Sequence, residues 1–166
     1  VNGATATLDL GGTSQTQNGG VSLQGGGAIQ NGTLSSSGTF DMQAGSVSAI
    51  LGGSVGLDKT TAGTVTLSGA NTYSGDTTVT LGTLQLNTTG ANAVSGNAVV
   101  NGGALTLLQS DQIADGKTVT VAGGLRPVRH VFGPAEAVPA NALDTPPRPT
   151  QSSTRRTAAS RWCVPE

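Results

Sequence analysis

The first 124 of the 166 residues contain no proline, arginine, histidine, cysteine or glutamate. Cys163 is the only cysteine in the chain, so no intramolecular disulfide is available. A net charge of −1 gives neither a basic footprint for nucleic acid nor an acidic one for metal storage. Aromatic residues make up 2% of the chain and charged residues 10%, against about 25% charged in an average soluble domain. No apolar run approaches the roughly 18 residues of a membrane helix. No charged-then-apolar leader opens the chain and Val1 is not a methionine, so the chain reads as a fragment with any targeting signal upstream.

What is abundant is glycine, 26 residues, of which all but Gly133 precede Leu125. Hydrophobic residues reach 35%, mostly as Ala, Val and Leu, which predicts no large compact core. A seam falls near Leu125. Beyond it lie all seven prolines, all six arginines, His130, Cys163 and Trp162. Six aspartates against Lys59 and Lys117 give residues 1–124 a net −4, and the segment from 125 a net +3. Two such vocabularies divide the chain into 1–124 and a Pro/Arg-rich tail, 125–166, expected to be disordered. The tail reads either as a frameshift product, translated out of frame from GC-rich DNA, or as a genuine proline-rich linker.

Before the seam, short pieces alternate apolar with Thr, Ser, Gln or Asp: "TATLDL" (5–10), "SVSAIL" (46–51), "TVTL" (64–67), "TLQL" (83–86), "ALTL" (104–107) and "TVTV" (118–121). Period-2 alternation is the signature of a strand with one buried face. No window holds a helical period, and each interior glycine would weaken a helix by about 1 kcal/mol relative to alanine. A glycine precedes the strand at Gly45, Gly63, Gly82 and Gly103, with gaps of 18, 19 and 21. Two positions later come Val47, Val65, Leu84 and Leu105, and two further on Ala49, Leu67, Leu86 and Leu107. Such a column suits a coil in which no turn can bury its inward row alone. The spacing predicts an all-β fold, a right-handed parallel β-helix (solenoid) of about six rungs at about 4.8 Å each. "NGG" (18–20 and 101–103) and "NGT" (31–33) are expected at corners. An antiparallel sandwich is the competing architecture.

"AGTVTLSGANTYSGDTTVTLGTLQL", Ala62 to Leu86, closely resembles the autotransporter-associated β-strand repeat of passenger domains in Gram-negative type V secretion, a motif placed at 62–87. Asp76 stands where the pattern often has glycine. Asn31 to Thr61 resembles the sequence that commonly precedes the repeat in large passengers. The resemblance implies a β-helical passenger at the cell surface or secreted, carried across the outer membrane by a barrel that this chain does not contain. It implies a role in passenger folding and transport, and brings no catalytic residues, metal or cofactor with it.

Read from the residues, Tyr73 is either a general acid or stacking platform, or a ring covering the small residues of a corner with its hydroxyl in water. The second reading is preferred. Asp76 lacks the several convergent carboxylates that a calcium site needs. Glycoside chemistry needs paired carboxylates, whereas Asp58, Asp76 and Asp115 are expected on different rungs. Asp58 and Lys59, adjacent in a strand, would point to opposite faces, as a solvated turn pair. In the tail, "PPRP" (146–149), Arg155–Arg156, His130 and the terminal "CVPE" at Cys163 lack the companions their motifs require. No catalytic, cofactor or metal residues are assigned. The expected role is a structural passenger segment, with an adhesin-like segment that binds carbohydrate or another cell surface as the alternative.

Overall fold

A computed structural model describes residues 1–123, and the tail expected to be disordered, with its motifs, lies outside them. Thirteen strands follow one another without a helix among the described residues: β1 (Thr7–Gln17), β2 (Val21–Leu23), β3 (Gly27–Ser36), β4 (Phe40–Met42), β5 (Gly45–Val47), β6 (Ile50–Gly52), β7 (Leu57–Lys59), β8 (Thr64–Leu67), β9 (Thr77–Val79), β10 (Thr83–Leu86), β11 (Ala98–Val100), β12 (Ala104–Leu107) and β13 (Val119–Val121). Every pairing is parallel. One sheet runs β1-β3-β5-β8-β10-β12 and the other β2-β4-β7-β9-β11-β13. Each turn of chain therefore adds one strand to each sheet, giving six rungs: β1/β2, β3/β4, β5–β7, β8/β9, β10/β11 and β12/β13. A third, shorter face joins them, where β6 pairs with the far half of β3 and Val94 bridges Ile113. The parallel β-solenoid is what the spacing predicts, and the antiparallel sandwich is excluded.

The core is a set of columns one side chain wide. Leu8, Ile29, Val47, Leu67, Leu86 and Leu107 stack through the first sheet. Beside them run Gly27, Gly45, Val65, Leu84 and Leu105. The second sheet stacks Val21, Phe40, Leu57, Thr77, Ala98 and Val119. No rung could bury its row without the rungs on either side.

Three details differ from the sequence register. Gly63, Gly82 and Gly103 do share a corner, since each precedes one of the paired residues Thr64, Thr83 and Ala104. Gly45 does not, because it pairs with Val65 and Val47 pairs with Leu67. A slip of two residues keeps every side chain on its own face, so alternation alone cannot detect it. "SVSAIL" is two strands around a corner at 48–49, where Ala49 is buried. Leu107, expected in the buried column, is 50% exposed because no rung covers β12 among the described residues.

Asn31 and Gly32 supply the positive φ of a corner (57° and 143°), as expected of "NGT". At Gly96 glycine is needed for clearance instead. A Cβ at Gly96 would stand 2.0 Å from the Gly75 carbonyl oxygen of the rung before.

Candidate functional site

The stretch from Thr64 to Leu86 contains β8, β9, β10 and the corners between them. Val65 and Leu67 point inward from β8, and the inward parity continues past the strand end. Gly69, Asn71 and Tyr73 are all buried, while Ser68, Thr72 and Ser74 face out. Gly69 is where the chain passes against the preceding rung: a Cβ there would lie 2.1 Å from the Ala49 oxygen. Beyond it, the amides of Thr72 and Tyr73 both donate to the Leu51 carbonyl, at 2.8 and 3.1 Å. That bond pair locks the third face of the rung onto β6.

Tyr73 is fully buried, with its ring 6.1 Å from that of Phe40 and tilted by 56°. Its hydroxyl shares a 2.7 Å hydrogen bond with Thr77 Oγ1. The expectation of a hydroxyl in water is therefore corrected: the corner is roofed by the following rung, and the threonine that opens β9 takes the place of solvent. Burial pushes the phenol up to about 12, the Thr77 bond pulling weakly the other way. A phenol so held is neither a general acid near neutral pH nor an open stacking platform.

Asn71, unremarked in the sequence, makes two hydrogen bonds across rungs. Its Oδ1 accepts the Leu51 amide at 2.9 Å, and its Nδ2 donates to the Ala93 carbonyl at 2.8 Å. Around it, Thr88 Oγ1 donates to the Gly69 oxygen and Ser95 Oγ to the Asn71 oxygen, at 3.0 and 2.5 Å. Gln112 continues the pattern, accepting from the Thr88 amide and donating to the Thr88 carbonyl at 2.7 and 2.8 Å. Extending the period-2 parity from Val65 through residue 73 is the signal that would have placed Asn71 inside.

Asp58 and Lys59 do point to opposite faces of β7, but the pair is not a solvated turn. Lys59 is fully buried at an inward position, and its ammonium donates to the Thr61 carbonyl and, at 3.1 Å, to the Leu81 carbonyl. Desolvation holds its pKa below the usual lysine range, with the Asp41 charge partly restoring it. The cation satisfies corner carbonyls that would otherwise face an apolar column.

The carboxylates expected apart are apart: Asp58 lies on the third rung, Asp76 on the fourth and Asp115 on the sixth. Asp76 is exposed and accepts Asn97 Nδ2 at 2.9 Å. The register does bring together Asp41 and Asp58, direct partners on β4 and β7. Asp41 is engaged by Ser22 Oγ at 3.1 Å and Gln43 Nε2 at 2.7 Å. No group of three or more His, Cys, Asp or Glu side chains is placed to hold a metal among the described residues. The outward row of the first sheet, Thr7, Ala28, Ser46, Thr66, Gln85 and Thr106, is uncharged and short.

Residues 57–86 match the model of the passenger-associated-transport-repeat. Over 90 residues the chain is 43% identical to the adhesin BmaC autotransporter of Brucella suis biovar 1 (strain 1330), a match covering 51% of this chain. The match covers 2% of that relative's length. No solved structure matches significantly. Autotransporter passengers are displayed on, or secreted from, Gram-negative cells, and residues 57–86 are similar to the transport repeat of that passenger class.

Proposed function

We propose that residues 1–123 are a structural segment of an autotransporter passenger, supporting its folding, its passage across the outer membrane and its display. The observation that carries this reading is where the repeat spends its distinctive residues. Val65, Leu67, Gly69, Asn71, Tyr73 and Thr77 all face inward, against neighbouring rungs, and none presents a reactive group to solvent. Each stacked rung buries an apolar row at about 25 cal/mol per Å², a gain that opposes return of the chain through a pore. The partner is the outer-membrane barrel of the longer protein, and the role is not enzymatic. To test it, the chain is placed as passenger between a signal peptide and an outer-membrane barrel. Removing residues 57–86 should lower protease-accessible protein at the cell surface severalfold, while Ser substitutions at outward Thr66, Thr78 and Thr106 should not. Equal display of all variants would sink the reading.

A second reading is an adhesive surface. It is supported by the name of the Brucella relative and by the outward hydroxyl and amide row from Ser46 to Thr106. Both aromatic rings of the described residues are buried, so a glycan would be held by hydrogen bonds and not by ring stacking. Binding of the purified chain on a glycan array supports this reading, and silence there counts against it.

A further inference from the structure

We infer that Asn71 is a latch that makes the third, fourth and fifth rungs close as one unit instead of one at a time. In a plain solenoid each added rung contributes its own increment and the stack can grow or fray singly. Asn71 departs from that scheme. It belongs to the fourth rung, yet its acceptor is spent on Leu51 of the third and its donor on Ala93 of the fifth. The other buried cross-rung side chains reach one neighbour only. Ser36 bonds the Gly19 carbonyl, Thr88 Oγ1 the Gly69 carbonyl, and Gln112 the backbone of Thr88.

The consequence follows from the asymmetry of hydrogen-bond energetics. A made bond adds little net stability, whereas a buried donor or acceptor left unmade costs its full desolvation. When only the third and fourth rungs are stacked, the Asn71 donor faces the vacant side and must remain hydrated, which keeps this part of the corner open. When only the fourth and fifth are stacked, its acceptor is in the same position. The third rung to arrive, from either direction, satisfies the amide and permits Asn71 and Tyr73 to be enclosed together. Two further contacts act in the same block. Lys59 ties the third rung to the Leu81 carbonyl, and Ser95 Oγ ties the fifth to the Asn71 carbonyl. A chain stacking progressively would thus cross a threshold here, with little gained at two rungs and a locked block at three. The latch rests on the folding role proposed above, but it is read on purified chain and display is read on cells, so each can fail alone.

Native-state amide exchange on the full chain tests it. In the wild type the amides of Leu51 and Tyr73, which bond across the third and fourth rungs, and of Asn87, which bonds the fifth to the fourth, should share one opening free energy and one denaturant dependence. In Asn71→Ala the Leu51 amide should exchange about tenfold faster or more, and the openings of the third and fifth rungs should separate. Gln112→Ala, which cuts a one-sided bond, should accelerate the Thr88 amide and leave Leu51 unchanged. Separate, sequential openings of the three rungs in the wild type would overturn the latch, even were Asn71→Ala unable to fold. So would an Asn71→Ala variant whose Leu51 amide exchanges at the wild-type rate.

Discussion

Phe40 and Tyr73, the two aromatic rings of the described residues, lie against each other 6.1 Å apart although they come from different rungs and different faces. Phe40 sits on β4 of the second rung, in the column below Leu57 and Thr77. Tyr73 reaches that column from the corner ahead of β9 and closes on Thr77 through its hydroxyl. A chain that fills its interior with Ala, Val, Leu and Gly places its two bulkiest side chains together, beside the corner where Asn71 bonds three rungs. The repeat is in this sense a locally denser piece of an otherwise plain stack.

Truncating that ring has a two-part cost. Tyr73→Phe removes only the bond to Thr77 and should destabilise by about 1 kcal/mol. Tyr73→Ala also leaves a cavity beside Phe40, for a loss of about 3–5 kcal/mol. Denaturant midpoints of the two variants check the order, and a Tyr73→Phe loss equal to the alanine loss would count against packing as the main term.

Tyr73 is the only tyrosine in the chain, so its phenolate absorbance reports one site. With the folded phenol held up to about 12 and the unfolded one near 10, the folded state retains a proton that the unfolded state releases. The stabilisation is fully present below about pH 10 and is lost as pH rises through about 12, roughly 2–3 kcal/mol in all. Tyr73→Phe should lack this loss. A spectroscopic midpoint near 10 in folded protein would show the ring to be solvated.

Lys59 carries the opposite sign. Its folded pKa lies below the unfolded value, so the folded state binds fewer protons and stability should rise as pH climbs toward about 10.5. Lys59→Met removes the charge while keeping an unbranched chain in the column. It should flatten that rise, at the cost of leaving the Leu81 carbonyl without its donor. Unfolding free energies across pH 7–10 for both proteins decide it. The same slope in each would place the titration elsewhere.

The parts of this structure legible in the sequence are those that repeat with large side chains. The strands "TVTL", "TLQL" and "ALTL" announce the first sheet because four-residue alternation survives inspection by eye. The middle of the second sheet is built from "FDM", "LDK", "TTV" and "AVV", three residues each and too short to show a period, and of this sheet only the last strand is legible, inside "TVTV". "LDK" misleads further, since its charged Lys59 occupies an inward place that hydropathy assigns to solvent. Asn71 was hidden for a related reason: its partners, Leu51 and Ala93, lie 20 and 22 residues away in opposite directions. Gly45 pairs with Val65, two residues off the glycine spacing, because glycines are not register marks. They mark places where backbones pass closely, and the turn from Val47 to Leu67 is longer than the spacing from Gly45 to Gly63 suggests.

Glycines should accordingly differ in tolerance by position. Gly96→Ala drives a methyl into the Gly75 carbonyl and should cost about 1–3 kcal/mol or more, because backbone cannot yield as a side chain does. Gly19→Ala meets nothing within 4 Å and has no positive φ, so it should be neutral or stabilise by about 0.4–1 kcal/mol. Melting temperatures of the pair check this, and equal losses would mean the corners pack differently.

One column offers an internal scale for what stacking contributes. Val79, Val100 and Val121 are register partners on successive rungs, exposed by 1%, 8% and 74% respectively. The side chain and the strand type are the same at each position, so position in the stack is the variable. Val79→Ala should cost about 1.5–3 kcal/mol, the worth of a buried valine together with its cavity. Val100→Ala should cost less, since the strand that covers it, β13, is itself exposed. Val121→Ala should fall within about 0.5 kcal/mol of zero. Val121→Lys should likewise leave stability unchanged, and by placing a charge on an edge that no strand covers among the described residues it should raise the concentration at which the chain aggregates. Unfolding midpoints and light scattering across the series test both halves. Equal losses at the three valines would mean that a further layer covers β13 and that the column does not end at Val121.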